Sequence, residues 1–138
     1  MNCKKIIQAI NVTLVRVALL LIPAGAAWSA DWTNGSGGDW FDPANWSPAV
    51  VPTDTDSVQF NLGTSIATPY TVVVTNDASV SEFNMPGDAV IIDLDGNTLV
   101  SKSTNSTFIG NPGDAYLGVR NGLLSLNSSA FYVGINGS

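Results

Sequence analysis

A four-residue phrase occurs twice in this 138-residue chain: Pro86-Gly87-Asp88-Ala89 returns as Pro112-Gly113-Asp114-Ala115, 26 positions later. At the same offset Phe83 falls on Ile109 and Gly96 on Gly122. A second, shorter match follows at an offset of 24, where Phe108-Ile109-Gly110 becomes Tyr132-Val133-Gly134 and Gly113 falls on Gly137. A repeat of 24–26 residues is one supersecondary unit that cannot bury its own apolar face. Its neighbours must do so by stacking, which makes a solenoid.

The period has to be filled with strands. Gly, Asn, Asp, Ser and Thr interrupt every window long enough for three helical turns. Strand alternation recurs instead: Val58, Phe60 and Leu62, then Tyr70, Val72 and Val74, then Val90, Ile92 and Leu94. Pro52-Thr53-Asp54, Thr75-Asn76-Asp77, Pro86-Gly87-Asp88 and Asp95-Gly96-Asn97 supply turns between them. Among sandwich, barrel and solenoid, the repeat selects a short right-handed parallel β-solenoid (β-helix) in an all-β chain. Inward Val, Ile, Leu and Phe are expected to stack coil on coil, with Ser, Thr, Asn and Asp facing solvent. The incomplete solenoid is expected over residues 57–138, and the match stops in mid-coil at Asn136-Gly137-Ser138. An unpaired strand edge there predicts either a longer architecture or a partner that completes it.

Charge separates the first residues from the rest. Lys4, Lys5 and Arg16 are three of the five cations, and no acid precedes Asp31. The run from Val17 to Ala27 is eleven residues, long enough for a signal-peptide h-region and too short to span a bilayer as a helix. Residues 1–27 are therefore read as a signal-peptide helix, with cleavage after Ala26 or Ala27 and a less suitable alternative after Ala30. After removal only Lys102 and Arg120 face 11 acids, so the net charge moves from −6 to 2 − 11 = −9. Cys3 leaves with the signal.

These counts exclude several chemistries. The chain has no His, so it lacks imidazole as base or ligand, and its lone Cys cannot build a disulfide or a thiolate zinc site. A pI near 4.1 is the wrong sign for nucleic acid. No cofactor, no resident metal and no catalytic residue are expected.

Residues 28–56 form a Trp-rich N-terminal segment, read as a cap. Asp31-Trp32, Gly38-Asp39-Trp40-Phe41-Asp42-Pro43 and Asn45-Trp46 are followed by Val51-Pro52-Thr53-Asp54-Thr55-Asp56-Ser57-Val58-Gln59-Phe60. This pattern resembles the N-terminal segment of large bacterial surface β-helix proteins, among them autotransporter-type passenger domains and repeat-rich exported proteins with a C-terminal sorting signal. Ile92-Asp93-Leu94-Asp95-Gly96-Asn97-Thr98-Leu99-Val100 and Leu124-Ser125-Leu126 are similar to their coil repeats. The resemblance implies a secreted or cell-surface, adhesin-like structural module without enzymatic activity. Neither a translocating barrel nor a sorting helix follows in this sequence, so no membrane span is expected after signal cleavage.

Trp32, Trp40 and Trp46 carry two readings. They plug the open first coil, or they form a stacking platform for surface glycans in a carbohydrate-binding module. Two acidic stretches, Asn34–Asp39 and Asp93–Asn97, resemble calcium loops only in part: the first occurs once and the second lacks the downstream Glu. Asp93 and Asp95 as an i, i+2 pair would suit a fragment of a β-helix polysaccharide-degrading enzyme, but so few coils offer little room for a cleft. The structural module is the preferred reading, with surface glycans or further β-solenoid coils as its expected partners.

Overall fold

The computed structural model describes residues 28–133 except positions 66, 104, 106 and 111–113. The proposed signal segment 1–27 and parts of the repeat at 112–113 and 134–137 lie outside the described residues.

Alternation shapes the strands as the side chains require. Tyr70, Val72 and Val74 are buried, as are Val90, Ile92 and Leu94, while Thr71, Val73, Ile91 and Asp93 between them face outward and are half-exposed. The first turn of the coil holds β1 (Ser29–Trp32) and β2 (Gly38–Asp39), then a 3₁₀ turn at Pro43–Asn45 and β3 (Trp46–Ser47). The second holds β4 (Ser57–Gln59), β5 (Tyr70–Val73) and β6 (Ala78–Val80). The third holds β7 (Glu82–Asn84), β8 (Ala89–Asp93) and β9 (Thr98–Ser101). The fourth holds β10 (Thr107–Ile109), β11 (Tyr116–Arg120) and β12 (Leu123–Leu126), and β13 (Phe131–Val133) follows.

Strands at equivalent places in successive turns pair in parallel and make three faces. One is β1-β4-β7, with β3 folded back antiparallel on the outer edge of β1. A bridge between Met85 and Ile109 carries this face on to the β10-β13 pair. The second face is β2-β5-β8-β11 and the third is β6-β9-β12. The chain is thus an all-β solenoid of parallel stacked coils. Its core is a set of inward columns fixed by register: Ala30-Val58-Phe83, Tyr70-Val90-Leu117, Val72-Ile92-Val119 and Ala78-Leu99-Leu124.

The register corrects the sequence repeat in three places. Ala89 pairs with Tyr116, an offset of 27 rather than 26. The larger offset keeps Val90 over Leu117 and Ile92 over Val119; the smaller would place Gly118 in the core column. A one-residue slip exchanges the two faces of a strand, so apolar burial overrides the matching Pro-Gly-Asp-Ala letters. Likewise Ile109 lies beside Met85, not Phe83. The offset of 24 holds at Phe108–Tyr132 and Ile109–Val133. Leu62 also departs from its alternation: β4 ends at Gln59, and Leu62 is 40% exposed on the loop that follows.

Gly96 and Gly122, matched in the sequence at an offset of 26, are not register partners: β9 and β12 pair at an offset of 25, which sets Gly122 against Asn97, and the two glycines serve different ends. Asp95 and Gly96 both take positive φ (46° and 87°), a left-handed turn that glycine accepts without strain. Nothing lies near the place where a Gly96 side chain would begin. At Gly122 a Cβ would instead run into the Asn97 carbonyl oxygen and the Leu94 side chain, so the requirement there is close coil-to-coil approach.

Candidate functional site

The first coil gathers the aromatic residues. β1 carries Trp32 inward, the turn after β2 delivers Trp40, and the antiparallel return of β3 sets Trp46 opposite Trp32. Local chemistry makes that return. The Asp42 carboxylate accepts from Ala44 N at 2.9 Å and caps the Pro43–Asn45 turn. Buried Asn45 donates to the Asp39 carbonyl at 2.8 Å and accepts from Asn34 Nδ2 at 2.9 Å.

The rings then pack edge to face. Trp32 and Trp46 centroids are 5.1 Å apart at 88°, and Trp40 and Trp46 are 4.8 Å apart at 74°. Phe60 lies about equally far from all three, at 6.0–6.3 Å, and Tyr70 stacks on Trp32 at 6.3 Å and 5°. The Trp46 indole N–H donates to the Trp40 carbonyl and that of Trp32 to the Asn34 carbonyl, each at 2.7 Å. Trp32, Trp40 and Trp46 are at most 2% exposed. A glycan platform must offer a ring face to solvent, and none of these three does. Their placement is that of a core filling the first coil.

Beside this core lies an apolar groove of about 300 Å³ lined by Trp28, Ala30, Pro48, Val50, Val51, Pro52 and Asp56. Trp28 and Val50 are its exposed walls, at 51% and 62%. The Ser47–Pro48 peptide is cis. Asp56 is the groove's one ionisable group. Burial pushes its carboxyl up, but hydrogen bonds from the Thr53 hydroxyl, Thr53 N and Trp28 N outweigh that and hold it below its ordinary range.

The repeat's Asp88 is the most enclosed acid. It is fully buried against the loop between β4 and β5. The Tyr70 hydroxyl donates to it at 2.6 Å, Leu62 N at 3.2 Å, Thr64 N at 3.1 Å and Ala89 N at 3.1 Å, and the Thr64 hydroxyl is a further partner. Burial raises this carboxyl, but bonds from Thr64, Tyr70 and the Leu62 and Thr64 amides lower it by more, for a net depression. Tyr70 is driven well above its ordinary value, by burial first and by Asp88 second. The cluster ties the loop between β4 and β5 to the start of β8. Its repeat mate Asp114 is exposed.

Several of the remaining acids have hydrogen-bond partners, some of them far along the chain. Asp93 accepts from Arg120 Nε and Asn121 Nδ2, each at 2.9 Å, and from Asp95 N at 3.3 Å, while Asp95 sits in the left-handed turn. Asn34 Oδ1 accepts from Ser36 N and Asp39 Oδ1 from Phe41 N, closing turns within that Gly-rich stretch. Among the described residues, no three acid or thiol side chains come together as a metal site. No helix among them is long and apolar enough to cross a membrane.

No family model, curated protein or solved structure matches this chain. Sequence reading missed the groove and the Asp88 cluster. The turn motif around Asp88 was visible, but the donors come from Leu62, Thr64 and Tyr70, between 18 and 26 residues away. Trp28, the first residue of the 28–56 segment, lies outside the Trp32/Trp40/Trp46 cluster and lines the groove instead.

Proposed function

We propose that this chain is an exported, non-enzymatic structural module of a bacterial cell surface or extracellular assembly, adhesin-like and akin to the N-terminal part of autotransporter-type passenger proteins. Its coil is right-handed, in keeping with the strong bias of parallel β connections. The observation that carries the reading is the use of side chains. Inward residues are committed to neighbouring coils and aromatic residues fill the first coil, while most of the acids pair with turns, loops and the two cations Lys102 and Arg120. Such a ladder acts by holding its outward Ser, Thr, Asn and Asp in a fixed array. Further solenoid coils are its natural partner at the β11 and β12 edges.

Two measurements test this. Protease shaving of intact bacteria producing the full chain should remove it, and a cytoplasmic, protected product would overturn the export reading. In a titration with a glycan panel, Trp fluorescence should be blue-shifted and unresponsive. Acrylamide should quench chiefly Trp28, so Trp28→Phe should abolish most quenching. Saturable glycan binding lost in Trp40→Ala would overturn the structural reading in favour of carbohydrate binding.

A further inference from the structure

Trp28 is the first residue after the apolar run 17–27, and both its backbone polar groups are engaged. Its carbonyl accepts from Ser57 N at 2.9 Å, and its nitrogen donates to Asp56 Oδ1 at 3.3 Å. From Ser29 onward the chain is β1, paired residue by residue with Ser57–Gln59, and Ala30 is buried over Val58. The second Asp56 oxygen is held by Thr53 N at 2.8 Å and the Thr53 hydroxyl at 2.7 Å, which leaves Oδ1 to Trp28. Only two cationic side chains lie among the described residues, and both are engaged elsewhere: Lys102 with Asp54 and Arg120 with Asp93, each at 2.9 Å. Of the nearby acids, Asp31 accepts from the Ser29 hydroxyl and Glu82 from the Ser57 hydroxyl. Asp56 is the carboxylate placed at the Trp28 nitrogen.

We propose that the Ala27–Trp28 bond is the one cut on export, and that the α-ammonium released there pairs with the Asp56 carboxylate and fastens the first strand to the turn before β4. The inference rests on the export reading. A signal peptidase adds one water across the amide: Ala27 leaves as a carboxylate, and the Trp28 nitrogen takes up protons to become an ammonium. Gly25 and Ala27 then occupy the small-residue positions such an enzyme requires. A cut after Ala30 would place bulky Trp28 third back. It would also delete Ser29 and Ala30 from β1, with the Trp28 bonds to Ser57 and Asp56. A cut after Ala26 would leave a neutral amide facing Asp56. The peptidase acts before folding, so sequence selects the bond; the cut after Ala27 leaves the first strand whole and turns an amide–carboxylate bond into an ion pair.

The test uses the full chain expressed in a bacterial host, with the processed product purified from outside the cytoplasm. N-terminal sequencing and intact mass should give Trp28 first. Ala27 or Asp31 first would overturn the inference while leaving export standing, and an unprocessed cytoplasmic chain would overturn both. On the processed product, an NMR pH titration should place the α-ammonium about half a unit to one unit above its ordinary value near 8. Asp56→Asn should remove that shift, and 1 M salt should shrink it in the unsubstituted protein should the variant not fold. A shift insensitive to salt, or equal α-amino pKa values in a folded Asp56→Asn, would overturn the ion pair.

Discussion

Tyr70→Phe removes a single oxygen, one that donates at 2.6 Å to a fully buried carboxylate. A hydrogen bond to a charged acceptor contributes about 1.5–3 kcal/mol. Asp88 keeps its bonds from Leu62 N, Thr64 N, Ala89 N and the Thr64 hydroxyl, so it is not orphaned, and the lower half of that range applies. We expect a loss of about 2 kcal/mol at pH 7, which for a chain of this size lowers Tm by roughly 8 °C. The assay is urea unfolding followed by Trp fluorescence, for which Trp32, stacked on Tyr70, is a local reporter. With a slope of about 2 kcal/mol/M the midpoint falls by about 1 M. The pH dependence fixes the cause. The Asp88 carboxyl is held below its ordinary value in the fold, so its stabilisation is complete above the unfolded pKa, roughly 3.9, and is lost as pH falls through the lower folded one. The unfolded state is common to both proteins, so the difference between them should be full at pH 7 and shrink only as pH falls through the lowered folded Asp88 pKa values. A difference under about 0.5 kcal/mol at pH 7, or one that grows as pH falls, would refute the assignment.

Tyr70 itself gives the alkaline counterpart. Its folded pKa is raised, so its contribution is intact below the unfolded value near 10 and declines as pH rises beyond it; stability measured from pH 9 to 11 should fall in the native protein and fall less in Tyr70→Phe. Thr107 is buried in β10 with its hydroxyl unpartnered, so Thr107→Val keeps the shape, removes an unsatisfied group and should raise stability by about 1 kcal/mol in the same urea assay. Gly122→Ala should cost about 2–3 kcal/mol through steric conflict with Asn97 and Leu94, against roughly 1 kcal/mol for Gly96→Ala from its backbone angle alone; equal costs in thermal unfolding would contradict the distinction drawn between them.

The strand architecture was legible because parallel stacking leaves a strong period-2 signature. Tyr70/Val72/Val74 and Val90/Ile92/Leu94 turn inward as alternation requires. The finer register was not legible, because Gly and Asp recur at turns for reasons of backbone conformation and carry no information about which residue stacks on which. Gly118 illustrates this: moved by one position it would sit in a core column, and only the apolar neighbours Leu117 and Val119 reveal the true register. The Trp residues were recognisable as a group, but their burial depended on Phe60 and Tyr70 reaching them from the next coil. The Asp88 cluster was hidden for a similar reason, since a carboxylate's donors are chosen in space and three of them are backbone amides, which every residue but proline carries.

The two ends of the solenoid pose opposite physical problems. At the first coil the column would end in open space, and large aromatic rings close it: Trp32, Trp40 and Trp46 satisfy the core while β3 covers the outer edge of β1 with antiparallel bonds. At the fourth coil the inward columns continue through Leu117, Val119 and Leu124, and of these Val119 is 44% exposed among the described residues. The strand edges beside these residues carry evenly spaced donors and acceptors. In the proposed module the partner that fits this parallel edge is another coil of the same kind, and the aromatic filling of the first coil would give the stack a direction.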